Sequence, residues 1–414
     1  MHKNVKYTLL LLVVALAAAI GACTRHPYGL FASIQRERRI PFDRNLGKEL
    51  TVGAFAKAGT TYFAATGALS YRDQDDPATG ERPEWEATPA PSVDGQPYRT
   101  MSLVAADVGA GQRIYAVFVS PDAARSAVYA IDPAAPATAP EEIWDLPTGI
   151  RRIDEIFALN DGTEWLIASA ATTDTPAHHR LYASSDGETF VPLPGTTLDN
   201  ARWIGVATNG TDVAYVSTTG VMRHSGGLDE DIAPVDASPA VDAAPARDAD
   251  AIFTAVLYDE TGDLLWLADS AGRLYTSDDF GTSWQRGEVN PVSATNEDPI
   301  WFSALAAVPK GPQTIIIAGT RGHGYRNVGV AGEVDATTEV SSPDVPGSNY
   351  QGSNLPSAAI EVIFVDPDRV TGFPVETADG MEEWDGHLLF MGTAQKGLWR
   401  TLSSDSGPKQ WVRE

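Results

Sequence analysis

Residues 264–284 read LLWLADSAGRLYTSDDFGTSW and contain the middle of one repeating unit. The first five residues are apolar without interruption, which is typical of a short strand buried on both faces. A polar turn with Gly272 separates them from a second β-rich run, and a turn rich in Ser, Asp and Gly then leads to Trp284. Two short strands joined by a glycine-containing turn predict an antiparallel hairpin.

The same pattern recurs outward from this stretch with a period of about 50 residues. Apolar strands of one kind begin near seven positions, which lie 49 to 57 residues apart: Val52, Met101, Ile153, Trp203, Ile252, Phe302 and Ala359. A second β-rich run follows each of them, at 61–65, 114–119, 165–168, 213–216, 264–267, 314–318 and 388–391. Such repetition changes the domain count that length alone would suggest.

The rest of each unit completes a four-stranded sheet. Glycine introduces a third strand in five units, at Gly67, Gly220, Gly272, Gly324 and Gly397. A fourth element often carries an aromatic residue, at Trp85, Trp144, Phe190, Trp284 and Trp411. The absence of helical periodicity and the four strands per unit predict an all-β protein. It is expected to be a single β-propeller of about seven four-stranded blades, within a range of six to eight, over residues 47–414. A solenoid is the rival architecture, but four short antiparallel strands fit a blade better than a rung.

The most regular turn lies at 277–284, where Ser277, Asp279, Gly281 and Trp284 occupy the pattern Ser-x-Asp-x-Gly-x-x-Trp. The Ser and Asp side chains are suited to hydrogen-bond the turn's own backbone, and glycine suits a left-handed conformation. The tryptophan is expected to fill the seam between neighbouring blades. The motif therefore predicts a structural turn rather than a catalytic one.

Two less regular copies lie at the same place in other units. One contains Asp186 and Phe190 and lacks one spacer residue, while the other contains Asp405 and reaches Trp411 with one extra residue. Together the copies resemble the Asp-box (BNR-repeat) propeller class, which includes sialidases, sortilin-like receptors and photosystem II assembly factors of the Ycf48 type. The resemblance implies that these turns lie on the outer rim, away from the ligand face.

Residues 1–22 have the three-part layout of a secretory signal peptide. Two lysines precede an apolar run, and small residues follow up to Cys23, which is the only cysteine in the chain. This ending resembles a bacterial lipobox, which implies that Cys23 carries acyl chains such as palmitate and that residues 23–46 form a lipidated tether. A plain secretory signal that ends near a cysteine is the alternative. Thr24, by the same resemblance, implies an exported lipoprotein anchored at the outer membrane of the bacterial envelope.

The charge of the chain argues against one large class of partners. The chain has 30 Lys and Arg against 55 Asp and Glu, so its formal net charge is −25 at pH 7. Nucleic-acid binding draws most of its affinity from neutralised phosphates, so this surface predicts no nucleic-acid partner. The sequence contains no phosphate-binding loop, nucleophile elbow or Cys–His pair. We therefore expect no cofactor. We also expect the propeller to be a monomer.

One enzyme class is worth testing against the sequence. Sialidases combine Asp-boxes with an Arg-Ile-Pro motif, and residues 39–41 read Arg-Ile-Pro. The family further requires three arginines that grip a carboxylate, an acid/base aspartate and a tyrosine activated by glutamate. Asp73 or Asp75 is a candidate acid and Tyr350 a candidate nucleophile, but no glutamate or arginine has the expected surroundings. We expect a non-enzymatic protein, with a sialidase-like glycoside hydrolase as the alternative.

Histidines and acidic loops lack the spacing of a metal site. His178 and His179 are expected in a polar loop, and the other histidines are scattered singly through the units. None has a partner at zinc spacing on one element. The Asp-rich loops do not follow the EF-hand spacing, although this leaves calcium binding by a loop open. The sequence therefore predicts no metal site.

Propeller ligands usually meet the face built by the turns between second and third strands and by the connections between blades. In this chain five basic residues are predicted on that face: Arg151, Arg202, Arg273, Arg321 and Lys396. Basic residues are no denser in these segments than chance gives, but basic groups that converge at one mouth of an acidic protein form an anion site. The sequence predicts a membrane-anchored propeller that binds or scaffolds an envelope protein or polysaccharide, with the ligand unidentified.

Overall fold

The stretch 264–284 forms the second and third strands of a four-stranded antiparallel sheet and the turn that follows them. The register pairs Leu265 with Ser277 and Ala268 with Leu274. The strand Leu264–Asp269 is buried along its whole length. Since successive side chains point to opposite faces of a sheet, both faces of this strand must be covered.

The computed structural model describes residues 46, 50–76, 82–93, 95–109, 111–174, 177–226, 228, 251–288, 301–310, 313–322, 324–330, 359–377, 380–403 and 412–414. The predicted signal peptide, Cys23 and the tether up to residue 45 lie outside these residues. So do Tyr350, His323 and the copy of the turn with Asp405 and Trp411. Leu46–Glu414 form one compact unit.

The described strands form seven sheets, or blades, in which consecutive strands pair antiparallel. Blade 1 contains β1 (Ala54–Ala58), β2 (Thr61–Ala65), β3 (Leu69–Asp73) and β4 (Glu86–Ala87), and a small hairpin of β5 (Ser92–Val93) and β6 (Gln96–Pro97) follows. Blade 2 contains β7 (Arg99–Asp107), β8 (Gln112–Val119), β9 (Ser126–Ile131) and β10 (Glu141–Trp144). Blade 3 contains β11 (Ile150–Asn160), β12 (Glu164–Thr172), β13 (His178–Ser184), β14 (Val191–Pro192) and β15 (Leu198–Asp199).

The remaining four blades follow the same plan. Blade 4 contains β16 (Trp203–Thr208), β17 (Asp212–Ser217) and β18 (Val221–Ser225). Blade 5 contains β19 (Phe253–Asp259), β20 (Leu264–Asp269), β21 (Arg273–Ser277) and β22 (Gln285–Glu288). Blade 6 contains β23 (Phe302–Lys310), β24 (Gln313–Thr320) and β25 (Tyr325–Val330). Blade 7 contains β26 (Ile360–Thr377), β27 (Gly380–Thr393), β28 (Gly397–Ser403) and β29 (Val412–Arg413).

The blades close into a ring. The first strand of each blade contacts the first strands of both neighbours, in the order β1, β7, β11, β16, β19, β23, β26 and back to β1. A closed ring of antiparallel sheets with their first strands innermost is a β-propeller. The predicted all-β fold with seven blades is confirmed, and the described residues contain no helix.

The hydrophobic core lies in the seams between blades, and each of the seven seams has its own cluster of buried side chains. In the seam between blades 4 and 5, Val216 and Val221 pack against Phe253, Leu265 and Tyr275. Burying an aliphatic or Phe side chain contributes about 1.5–3 kcal/mol. Because each blade is covered by its two neighbours, the ring rather than the single sheet is the stable unit.

Turns define two faces of the ring. The upper face contains the turns between second and third strands and the connections between blades, and the lower face contains the other turns. On the upper face the second strand ends in Ser, Thr or Asp, or is followed at once by Ser or Thr, in all seven blades, at Thr66, Ser120, Thr172, Ser217, Asp269, Thr320 and Thr393. Each of these side chains hydrogen-bonds to the backbone of its own turn. This capping residue is a repeat signal that the strand pattern alone did not reveal.

Blade 7 departs from the predicted short strands. Its first two strands have 18 and 14 residues and pair as far as Thr377 and Gly380. The first strand of blade 6 has 9 residues. The first strand of blade 7 is therefore twice as long as that of blade 6, and Val370, in the additional length, still packs against the core of its seam. Glycine, proline and acidic residues interrupt the apolar pattern in this stretch, so the sequence did not predict the long strand pair.

Candidate ligand face

Backbone hydrogen bonds join the connections between blades to the turns on the upper face. Thr218 N donates to Arg202 O at 2.9 Å, Arg321 N to Trp301 O at 2.8 Å, and Ala394 N to Ala359 O at 2.9 Å. In blades 4, 6 and 7, the residue before the first strand therefore lies against the turn that follows the second. The central mouth is surrounded by these paired segments.

A β-bulge recurs where the first strand enters the ring. The pairing between first and second strands shifts at the same place in six blades, and the extra residues are Met101, Arg151, Ile204, Thr254, Ser303 and Glu361. A bulge leaves one residue outside the ladder and redirects its side chain. Met101 is 53% exposed although it is a large apolar residue. The bulged residue differs in type from blade to blade at the upper end of the inner strands, and Ile204 among them packs on the core of its seam.

The structure places all five predicted basic residues on the upper face, one from each of blades 3 to 7. They are Arg151, Arg202, Arg273, Arg321 and Lys396, and all except the half-buried Arg273 are exposed. Arg151 and Arg202 lie at the starts of the neighbouring inner strands β11 and β16. The other three lie at turns between second and third strands, farther from the ring axis. Two of the five therefore border the mouth, and three form an outer arc.

Arg321 is held against an aromatic ring at this face. Its guanidinium lies 4.2 Å from the centroid of the Trp301 ring, on the connection leading into β23. A cation over an indole face is stabilised by about 0.5–1 kcal/mol at an exposed site. This contact orients the guanidinium without neutralising its charge, which suits it to an anionic ligand.

Blade 3 carries an ion-pair cluster that the sequence did not predict. Arg152 Nε lies 2.6 Å from Asp154 Oδ1, and His179 Nδ1 lies 2.9 Å from Asp154 Oδ2. Burial opposes ionisation of Asp154, but the bond from His179 and the charge of Arg152 outweigh it, so its pKa is lowered. His178 and His179 were expected in a loop and instead begin β13, because that strand starts earlier than its apolar run. Both bind carboxylates, with Asp199 the partner of His178.

Glu155 is an acidic group near the start of an inner strand on the upper face. It is half-buried in β11, where it pairs in register with the fully buried Ser169. Burial raises the pKa of Glu155 to about 7, against the lowering effect of Arg202 and with the raising effect of Asp154. Near neutral pH this carboxyl is therefore only partly ionised, and it only partly offsets the positive charge of Arg202.

The turn at 277–284 lies on the lower face. Gly281 N donates to Ser277 Oγ at 2.6 Å, and Ser283 N donates to Asp279 Oδ1 at 2.7 Å. Gly281 is left-handed, with φ of 96°. Trp284 packs against the cluster between blades 4 and 5. These side chains bond to the turn itself, so they stabilise it and are not aimed at a ligand.

The shorter copy at 184–190 makes a similar set of bonds. Ser184 Oγ donates to Asp186 Oδ1 at 2.9 Å, and Asp186 Oδ1 also accepts from Thr189 N at 2.7 Å. The pKa of Asp186 is lowered to about 2 because these and neighbouring bonds outweigh burial. Phe190 stacks on Trp144 across the seam between blades 2 and 3, with centroids 4.4 Å apart. Both turns lie between a third and a fourth strand.

Three arginines converge on a glutamate away from the mouth. They lie in the seam between blades 7 and 1, which we call the closing seam. Glu414 lies 2.9 Å from Arg72, 2.6 Å from Arg400 and 3.5 Å from Arg82. Arg72 and Glu414 are each 1% exposed. Arg72 and Arg400 come from third strands, two strands outward from the mouth. Their guanidinium groups are paired with protein carboxylates, so the cluster offers no open position for a substrate carboxylate.

The candidate acid and the buried tyrosine of the closing seam are engaged as well. Asp75 Oδ1 and Oδ2 lie 2.8 Å from Arg72 and 2.6 Å from Arg400. The hydroxyl of Tyr62 donates to Asp366, and burial and this carboxylate raise the pKa of Tyr62. A nucleophilic tyrosine would need activation in the opposite direction. Asp73 is exposed and accepts from Thr61 Oγ1 at 2.9 Å. Among the described residues, the groups required of a sialidase do not meet at the mouth.

The part of the chain that the structure describes holds no cluster of three or more His, Cys, Asp or Glu side chains arranged to bind a metal ion. It also contains no helix with the length and apolar character needed to cross a membrane.

Comparisons with known proteins find likeness in structure only. No family model matches the chain, and no curated protein matches it. Among solved structures, the extracellular domain of a putative one component system from B. thetaiotaomicron aligns with a TM-score of 0.47 at 13% identity, over 86% of this chain and 39% of that one. Sqt1 from Chaetomium thermophilum aligns with a TM-score of 0.49 at 13% identity, over 88% of this chain and 86% of that one. A structure of YCF48 bound to D1 peptide aligns with a TM-score of 0.48 at 14% identity, over 86% of this chain and 94% of that one.

Proposed function

We propose that this chain is an exported lipoprotein, anchored through acylated Cys23, whose propeller is a non-enzymatic binding domain for an anionic envelope polysaccharide. The observation that carries the proposal is the placement of one basic side chain from each of five consecutive blades on a single face of a protein with a net charge of −25. An anion is repelled by the rest of such a surface and is attracted only where cations are gathered.

The geometry of the upper face supports an extended ligand. Arg151 and Arg202 border the mouth, while Arg273, Arg321 and Lys396 follow the rim over three further blades. Charges distributed along an arc suit a polymer with repeated carboxylates better than a small anion. For the glycosidase alternative, Tyr350 and the Arg-Ile-Pro motif lie outside the described residues, and the candidate acids Asp73 and Asp75 lie away from the mouth.

The binding proposal is tested with oligogalacturonate as the anionic probe and neutral dextran as the uncharged one. Charge reversal of the exposed pair, Arg202→Glu with Arg321→Glu, should weaken oligogalacturonate binding at least tenfold, about 1.4 kcal/mol. Calorimetric titration provides the measurement. Arg286→Glu, an exposed change on the outer strand β22, is the matched control. Equal affinity of the double variant and the wild type would remove this face as the site.

The same titration should depend on pH. As pH falls from 8 to 6, Glu155, with its pKa of about 7, takes up a proton and ceases to offset the nearby arginine charge. Anion affinity should therefore rise by several-fold in wild type. It should be nearly independent of pH in Glu155→Gln, whose side chain carries no proton to gain. A flat wild-type profile would contradict this role for Glu155.

The anchor is tested separately. Cys23→Ser should abolish incorporation of a labelled palmitate analogue and release the propeller from membranes, because several acyl chains are needed for stable attachment. Fractionation of cells that express wild type and variant measures this release. Release of both wild type and variant from membranes, with no label in the wild type, would support a plain secretory signal instead.

A further inference from the structure

A cavity of about 590 Å³ opens on the lower face, opposite the upper face and its five basic residues. It is lined by the ends of the first strands of blades 3, 4 and 5 and by the turns that follow them. Because first strands form the inner ring, this cavity lies at the lower end of the central channel. Its volume is within the range of roughly 300–1,000 Å³ that small-molecule sites occupy.

The lining has an apolar wall and a polar rim that includes two amides and one carboxylate. Ala158, Val206 and the half-buried Tyr258 form apolar parts of the wall. Asn160 and Asn209 provide amides, and the exposed Glu260 provides the carboxylate. No lysine, arginine or histidine is among the described residues that line the cavity. An anion would be repelled by Glu260 and by the acidic protein, so the lining disfavours anions, and its amides are polar groups that suit an uncharged ligand.

The polar groups are already ordered by their own turns. Asn160 Oδ1 accepts from Gly162 N at 3.0 Å, and Asn209 Oδ1 accepts from Asp212 N at 2.7 Å. The Tyr258 hydroxyl donates to Asp263 Oδ1 at 2.7 Å. Side chains fixed before the ligand arrives lose little conformational freedom on binding. The amide nitrogen of Asn209 remains a donor, and the Glu260 carboxylate an acceptor.

We propose that this cavity binds a neutral saccharide of one or two sugar units, between the Asn160, Asn209 and Glu260 rim and the Ala158, Val206 and Tyr258 wall. A pyranose presents C–H groups on its ring faces and hydroxyls around its edge. The C–H groups suit the apolar wall, and the hydroxyls, which both donate and accept, suit amides and a carboxylate. This site is separate from the anion-binding function proposed for the upper face.

Saturation-transfer difference NMR tests the proposal with five neutral probes at about 10 mM each, a concentration suited to weak sugar binding. The probes are D-glucose, D-galactose, N-acetyl-D-glucosamine, maltose and cellobiose. Wild type should transfer saturation to at least one of them. Val206→Trp fills the cavity and should abolish the signal, while Glu260→Gln should weaken the affinity about tenfold because it removes the charged acceptor.

Two controls separate this site from the other. Glu188→Gln removes an exposed carboxylate in the turn at 184–190 and should leave sugar binding unchanged, as should Arg202→Glu on the upper face. If Val206→Trp does not fold, Glu260→Gln alone decides the question, and an unchanged affinity overturns the proposal. Absence of transfer to all five probes in wild type, or full transfer in a folded Val206→Trp protein, overturns it as well.

Discussion

The closing seam and the seam between blades 4 and 5 hold neighbouring blades together by different means. The closing seam contains buried ion pairs, including Lys57 with Asp366 at 2.8 Å and Arg400 with Asp75 at 2.6 Å. The seam between blades 4 and 5 is apolar and aromatic, with Phe253 and Tyr275 at its centre. No buried ion pair joins those two blades among the described residues.

The difference follows from how the chain runs. Blades 4 and 5 are consecutive, so the chain itself brings their faces together and nonspecific apolar packing suffices. Lys57 and Asp366 are 309 residues apart, and Arg400 and Asp75 are 325 residues apart. Apolar packing fixes register weakly, whereas a buried charge is satisfied only by its correct partner. We infer that the ion pairs specify the register in which blade 7 meets blade 1.

The largest expected effect comes from breaking the closing seam. Arg400→Met leaves Asp75 and Glu414 with one fewer cation in a buried site, and removing one partner of a buried pair costs about 3–5 kcal/mol. The free energy of unfolding, measured by urea denaturation, should fall by that amount. Arg125→Met is the control, because its ion pair with Asp145 is more than half exposed and should contribute less than about 1 kcal/mol. Similar losses in the two variants would erase the distinction between buried and surface pairs.

Acid should weaken the closing seam selectively. Although burial opposes ionisation of Glu414, the charges of Arg400, Arg72 and Arg82 lower its pKa from 4.5 to about 2. A depressed pKa contributes stability that is present above pH 4.5 and is lost as pH falls toward and through 2. The loss should be on the order of 3 kcal/mol. Urea midpoints measured between pH 5 and pH 2 should fall more steeply in wild type than in Glu414→Gln, and parallel curves would contradict the assignment.

The smallest effect is expected in the seam between blades 4 and 5. Gly281 has a positive φ, so Gly281→Ala should cost about 1–2 kcal/mol through backbone strain, while its added Cβ makes only ordinary contact with Trp284. Thermal unfolding measures the change. Gly220→Ala, at a turn with open space and without a positive φ, should be close to neutral. Equal costs at the two glycines would show that the left-handed turn is not what stabilises this seam.

The repeat of short strands could be predicted because each strand is defined by its own residues. Trp203 and Phe302 begin β16 and β23 as predicted, and the second strand of blade 1 occupies the predicted residues 61–65. The long hairpin of blade 7 could not be predicted in this way. Its extension lacks the continuous apolar pattern, because propensity gives little signal when pairing with the partner strand decides the conformation.

Part of the candidate site could likewise be predicted from the sequence, and part could not. Topology alone predicted which basic residues share the upper face, since the strand order determines on which face each turn lies. The bulges at Met101, Arg151 and Glu361 depend on pairing register, and so does the position of Glu155 beside Ser169. A charged residue among isoleucines at 153–156 was a local signal for Glu155, but the raised pKa depends on burial that only the assembled ring provides.

The sequence by itself determined the unit, because a strand buried on both faces needs an uninterrupted apolar run and a tight turn needs glycine or a polar cap. Only the tertiary structure decided how the ring closes and what lines its two mouths. Those features join residues hundreds of positions apart, and local chemistry carries no information on which distant side chain will satisfy a buried charge.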